Sequence, residues 1–211
     1  RAELQAFLAR AVGEAGVRKA LILGGDEPDA IGAYTDGASL IREELLAASG
    51  LREIGLPGYP EGHPRIPSAV LEKAFAEKRS LAAAQGLGTY VVTQFSFAPA
   101  RVVEFCAQMA RSSPDVPIYV GLAGPTSPVA LLRFAQRCGV SASLRALRTQ
   151  GMDAVRLVTH TDPADQLAAI ARYCAAHANC NVVGIHLFTF GGVTASAGWM
   201  NRYIASRGSP A

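Results

Sequence analysis

Several signals that commonly declare a protein's function are missing from this chain. No stretch approaches the ~18 consecutive apolar residues of a membrane span, so no membrane partner is expected. No G-x-G-x-x-G opens a helix after a strand-like run, and no G-x-x-x-x-G-K-[ST] occurs anywhere. The glycine cradles of a dinucleotide fold and of a P-loop are therefore excluded. Basic residues form no cluster, and a net charge of +3 from 20 basic and 17 acidic residues is too mild for a nucleic-acid surface. The four cysteines, Cys106, Cys138, Cys174 and Cys180, make no C-x-x-C pair. They read as buried thiols in a reducing cytoplasm. No metal site is expected, because nothing near Cys174, His177 and Cys180 completes one.

What is present is a hydrophobic chain: half of its residues are apolar and only 18% are charged, which excludes disorder. Its 211 residues fit a single domain spanning 1–211. The opening "RAELQAFLARAVGEAG" is an amphipathic helix, with Leu4, Phe7, Leu8, Ala11 and Val12 on one face, and not a signal peptide. The chain starts in that helix without an initiator methionine or a preceding strand, so an upstream portion is expected.

Strands are expected at "KALILGG" (19–25), near 53–58, at "TYVVTQFSF" (89–97), "VPIYVGLAG" (116–124) and "NVVGIHLFTFGG" (181–192). Helices are expected at about 2–15, 37–48, 68–85 with Ser68 as N-cap, 99–111, 128–138, 141–150, 163–178 and 193–205. Strands that are apolar throughout and alternate with helices make a parallel sheet covered by helices. Periodicity alone leaves two architectures open, a doubly wound sheet and a (β/α)8 barrel.

The polar and glycine-rich clusters are distributed unevenly. "GGDEPD" (24–29), "GYPEGHP" (58–64), "TQFSF" (93–97), "GLAGPTSP" (121–128) and "FTFGG" (188–192) each lie at the C-terminal end of a strand. The helix-to-strand returns, "ASGLR" and "AQGLG", are ordinary. In barrels the βα loops converge on one face and build the active site there, so this asymmetry favours an enzyme. Taken singly, Gly24 and Gly25 suit a tight turn, Asp26 suits a helix cap as well as a ligand contact, and His63 suits a solvated loop. Gln94 is harder to absorb. It lies among Val91, Val92, Phe95 and Phe97, and a buried amide without partners costs about 1–3 kcal/mol; a ligand with matching donors and acceptors removes that cost. Lys78 and Arg79 belong to a charged helix face that is solvated unless it starts beside a phosphate. His186 reads as a core or rim histidine, His160 and His177 as surface residues, and Trp199 as packing.

"ALILGGD", "GYPEGHP", "VVTQFSF", "IYVGLAGP" and "HLFTFGG", in this order and at these separations, resemble the methylenetetrahydrofolate reductase family over essentially the whole chain. The resemblance implies an α/β fold: a (β/α)8 TIM barrel of which about five βα units, strands 4–8, are present here. It implies a flavoprotein oxidoreductase that interconverts 5,10-methylenetetrahydrofolate and 5-methyltetrahydrofolate, with FAD as cofactor and NAD(P)H as co-substrate. Asp26 would be the catalytic carboxylate, contacting flavin and folate and sitting beside the cationic iminium of the opened substrate. Gly25, Tyr59 and His63 would line the FAD site, Lys78 and Arg79 would approach its diphosphate, and Gln94 would bind the pterin edge. The family's general acid is a glutamate on a first strand that this chain does not include. Many members carry arginine where Gly24 stands, and another near Gly192. Two alternatives accompany this reading: a folate-binding barrel that has lost flavin catalysis, and a truncated non-enzymatic subunit. A cytoplasmic location is expected, and a homo-oligomer is compatible with the sequence.

Overall fold

The computed structural model describes residues 1–24, 32–140 and 163–207. The expected helix at 141–150, His160, Gly25 and Asp26 lie outside the described residues. Among the described residues there are five strands: β1 (Lys19–Leu21), β2 (Glu53–Gly58), β3 (Gly88–Thr93), β4 (Ile118–Ala123) and β5 (Val182–Phe188). Their order in the sheet is β1-β2-β3-β4-β5, with β1 parallel to β2 and β4 parallel to β5. A doubly wound sheet reverses direction at a switch point. An order equal to chain order is wound one way only, which is the connectivity of a βα barrel. The chain forms two compact units, Arg1–Gly58 with Arg65–Val92, and Tyr59–Pro64 with Thr93–Ala211.

The first unit opens with α1 (Ala2–Leu8), which continues as a π-helical turn over Ala9–Glu14. The expected single helix therefore changes pitch, and the chain behind it is tied back by Arg18 Nη1 donating to the Val12 carbonyl at 2.9 Å. The expected helix at 37–48 is broken into α2 (Gly37–Arg42) and α3 (Leu45–Ala48) at Glu44, which adopts φ 59°. The reason is burial. Ile41 (0% exposed) and Leu46 (2%) are five residues apart, about 140° apart around an unbroken helix, and the break lets both enter one core. That core joins Leu8, Val12, Ile22, Ile54, Leu56 and Leu87. Helix α4 (Ser68–Ala84) starts one residue earlier than a cap at Ser68 would give: Pro67 holds the N-cap position and Ser68 is the first helical residue. Gly55 on β2 has no room for a side chain, because the Tyr90 ring occupies the space a Cβ would take.

The second unit contains α5 (Pro99–Ser112), α6 (Pro128–Arg137), α7 (Ala164–Ala176) and α8 (Val193–Arg207). Pro99 and Pro128 open their helices as expected, and Ser127 caps α6 by accepting from the Ala130 N–H at 3.2 Å. β4 and β5 run in register from Tyr119 opposite Gly184 to Ala123 opposite Phe188. Phe95, Phe97, Leu131, Ala135 and Val140 form a buried core with Phe134, Phe188 and Phe190 packed on it. Among the described residues no helix is long and apolar enough to cross a membrane. The cysteines depart from expectation: only Cys106 is buried, while Cys138, Cys174 and Cys180 are partly exposed.

Candidate functional site

In the second unit the β strands end in a set of close backbone approaches. β3 stops at Thr93 rather than running to 97 as expected. The fully buried Thr93 hydroxyl accepts the Gly121 N–H at 2.8 Å. The Thr93 carbonyl fills the space where a Cβ on Gly121 would sit, so only glycine fits there.

Gln94 is the first residue past β3, and it is half-buried rather than enclosed within a strand. Its Oε1 accepts the Phe95 N–H at 3.1 Å. The carbonyl end is thus satisfied by the chain itself, and the expected penalty of a wholly unpaired amide does not arise. Its Nε2 donors have no partner among the described residues. The backbone beyond is held on both sides: Ser96 Oγ accepts the Ala98 N–H at 2.9 Å, and Gln166 Nε2 on α7 donates to the Ser96 carbonyl at 2.7 Å. Gln166 was not singled out in the sequence. Its signal was faint, a lone amide in the largely apolar helix "ADQLAAIARYC".

Aromatic rings gather at the same strand ends. Phe95 meets Phe97, Phe188 and Phe190 edge-on, with centroids 5.8, 6.1 and 5.1 Å away. Phe190 also stacks on Phe134 at 4.2 Å. The loops after β4 and β5 touch through glycines. The Gly124 N–H donates to the Phe188 carbonyl at 2.9 Å, and Gly191 lies against the Pro125 carbonyl. Gly192, at φ 97°, faces open space. His186, half-buried on β5, packs edge-on to Phe188 at 4.7 Å. Burial pushes its imidazole below the usual histidine range, which favours the neutral ring.

The loop after β2 is built rather than slack. The Gly62 N–H donates to the Tyr59 carbonyl at 3.0 Å, with Gly62 at φ 77°. The turn brings the Tyr59 and His63 rings edge-to-face at 5.2 Å. Pro64 then packs on Gly139, at the end of α6, leaving no room for a Cβ there. Tyr59, His63 and Gln94 belong to one compact unit.

Lys78 and Arg79 lie on α4 in the first unit. A Cβ on Gly37 would lie 3.2 Å from the Ile22 side chain, just past β1, and 3.7 Å from Lys78 Nζ, so the ammonium sits beside the start of α2. There Asp36 caps α2 through the Ser39 N–H at 2.7 Å. That hydrogen bond holds the Asp36 carboxyl below its usual range, with Lys78 adding a smaller effect of the same sign. Arg42 pairs with Glu77, the residue before Lys78 on α4. Gly24, at the end of the described segment, is exposed and has nothing within 4 Å of a would-be Cβ. Among the described residues no group of three or more His, Cys, Asp or Glu side chains is arranged to hold a metal ion.

Comparison with known proteins places the chain in a family. The methylenetetrahydrofolate reductase family matches residues 1–198. Methylenetetrahydrofolate reductase 2 of Saccharomyces cerevisiae is 32% identical over 85 residues, 39% of this chain and 14% of the yeast protein. The aligned part thus spans about a seventh of that curated relative. With a family match over nearly its whole length, the chain belongs to the methylenetetrahydrofolate reductase family.

Proposed function

We propose that this chain is the C-terminal part of the catalytic barrel of a flavoprotein that interconverts 5,10-methylenetetrahydrofolate and 5-methyltetrahydrofolate with NAD(P)H. The observation that carries this reading is the family match over residues 1–198, joined to a one-way wound sheet whose polar clusters all follow strand C-termini. FAD would supply the hydride relay between nicotinamide and folate. The residues of this chain bind and orient.

The chemistry of the strand ends suits a flat heterocycle. Gln94 offers two amide donors without a partner among the described residues, next in sequence to Phe95, and its position is pinned by the hydrogen bonds at Phe95 and Ser96. It would read the pterin edge. Tyr59 and His63, fixed edge-to-face by the 59–62 turn, would line the flavin. Lys78, near the end of β1, and Arg79 would meet its diphosphate, and Gly25 would let the backbone approach the ring. Asp26 would place a carboxylate beside the folate cation, where a low-dielectric pocket strengthens the attraction.

The test is direct. Purified full-length protein should be yellow and should pass electrons between NAD(P)H and the folate. Colourless protein that takes up no added FAD would overturn the proposal. A second reading, a folate-binding barrel without flavin catalysis, is favoured by Gly24. Nothing described lies within 4 Å of a Cβ built on Gly24, so no packing demand accounts for glycine where many members carry arginine; at Gly192 the φ of 97° itself favours glycine, and the family arginine falls only near that position. Folate binding by calorimetry without flavin-linked turnover would select it, and tight FAD binding would remove it.

A further inference from the structure

Away from the strand ends, three of the four cysteines draw together at the opposite, N-terminal end of β5. Cys174 is in the last turn of α7, and Cys180 lies two residues before β5. Their Sγ atoms are 2.9 Å apart, within about 1 Å of the disulfide bond length of ~2.05 Å. The approach is set by the backbone. The His177 N–H donates to the Cys174 carbonyl at 3.3 Å, and the Cys180 N–H donates to the His177 carbonyl at 3.0 Å, so two tight turns fold Cys180 back onto the helix end. His177 is held in place through Nδ1, 2.8 Å from the Tyr173 carbonyl, and by its ring against Tyr173 at 4.4 Å. On the other side, Asn181 Nδ2 donates to the Val116 carbonyl at 2.8 Å and the Ser113 carbonyl at 3.3 Å, anchoring the start of β5 to the turn before β4.

We propose that Cys174 and Cys180 form a reversible intramolecular disulfide by exchange with a small-molecule disulfide, fastening the end of α7 to the start of β5. One cysteine, as thiolate, attacks the small disulfide and expels one small thiolate, leaving a mixed disulfide on the protein. The second cysteine, as thiolate, attacks the protein sulfur of that mixed disulfide and expels the other small thiolate. The protein loses two protons and two electrons, and the small disulfide is reduced to two thiols. Both cysteines are partly exposed, so the reagent has access. Cys106, the third thiol, is 1% exposed on α5, out of the reagent's reach, and burial pushes it up to about 12. Cys174 is also pushed up to about 12, first by burial and then by the neighbouring Cys180 thiol. Exchange through Cys174 therefore accelerates as pH rises. The 2.9 Å approach of the two Sγ atoms suits the pair to thiol redox chemistry.

The test uses the reduced full-length protein, incubated natively with oxidised glutathione at mildly alkaline pH, quenched in acid, alkylated and cut with trypsin. Cleavage after Arg172 and Arg202 leaves both cysteines on one peptide, 173–202. The expected result is that this peptide becomes about 2 Da lighter, the mass of two hydrogens, and takes no alkyl label. A dithiol reductant should restore the mass and allow two labels. The oxidised protein should also melt at a higher temperature than the reduced one, a gain absent from Cys180→Ser. Two labels on 173–202 after oxidation, glutathione retained on one cysteine, or a cross-link to the Cys106 peptide 102–111 would each overturn the pairing. A disulfide that forms without raising the melting temperature would overturn the fastening role.

Discussion

Gln94 offers a test that separates its two hydrogen-bonding ends. Its Oε1 accepts the Phe95 N–H at 3.1 Å, whereas its Nε2 donors are left for a ligand. Gln94→Ala removes both. The lost bond to Phe95, neutral and half-exposed, costs about 1 kcal/mol of stability, or about 2–4 °C in melting temperature for a domain of this size. The two donors, at about 0.5–1.5 kcal/mol each, should cost about 5- to 150-fold in folate affinity. Flavin affinity should change by no more than about twofold, since that bond set is not assigned to FAD. Gln94→Glu is the sharper variant. Its carboxylate still accepts from Phe95 but presents an acceptor where the donors were, so stability should stay near wild type while folate affinity falls as in the alanine variant. Calorimetric folate titration and flavin fluorescence quenching, on the same preparations as the melting curves, give all three quantities. Equal loss of folate and flavin in Gln94→Ala, or wild-type folate binding by Gln94→Glu, would refute the assignment.

Gly121→Ala forces a methyl onto the Thr93 carbonyl, which is backbone and cannot swing away; a loss of about 3 kcal/mol or more, seen as a lower denaturant midpoint or insoluble protein, is expected. His186 prefers the neutral form in the fold. The unfolded chain therefore binds its proton more tightly, so the stability contribution is intact above the ordinary histidine pKa of about 6.5 and is lost as pH falls through the lowered folded value. Melting temperature against pH should show this drop, and His186→Gln should flatten that segment of the profile. Asp36→Ala deletes the α2 cap and should cost about 1 kcal/mol at neutral pH. Because the Asp36 carboxyl is held below its usual range, the wild-type advantage should be present above pH ~4 and vanish as acid protonates it.

Five strands were legible in the residues because β-branched and aromatic runs, bounded by glycine and proline, carry their own signal; β2 at Glu53–Gly58 coincides with the expected 53–58. Their ends were less so. β3 yields at Thr93 because its hydroxyl captures the Gly121 N–H, a partner 28 residues away that no local window contains. The break at Glu44 likewise answers to what the core must bury, not to helix propensity. Position after each strand carries the expectation of a site; the structure adds only that Tyr59, His63 and Gln94 fall in one compact unit. That Gln94 satisfies its own carbonyl end through Phe95 could not be read, since rotamers depend on neighbours brought by the fold.

The residues by themselves determined the class of the chain. Apolar strands alternating with helices, and polar clusters confined to strand C-termini, require only local periodicity and chain direction. Tertiary structure alone decided the winding, the close approach of Gly121 to the Thr93 carbonyl, and the meeting of Cys174 with Cys180. In the cysteine pair six residues of separation say nothing; two tight turns around His177, held by Tyr173 and Asn181, bring the sulfurs together. Contacts of that kind are set by the path of the backbone through space, which sequence spacing does not encode.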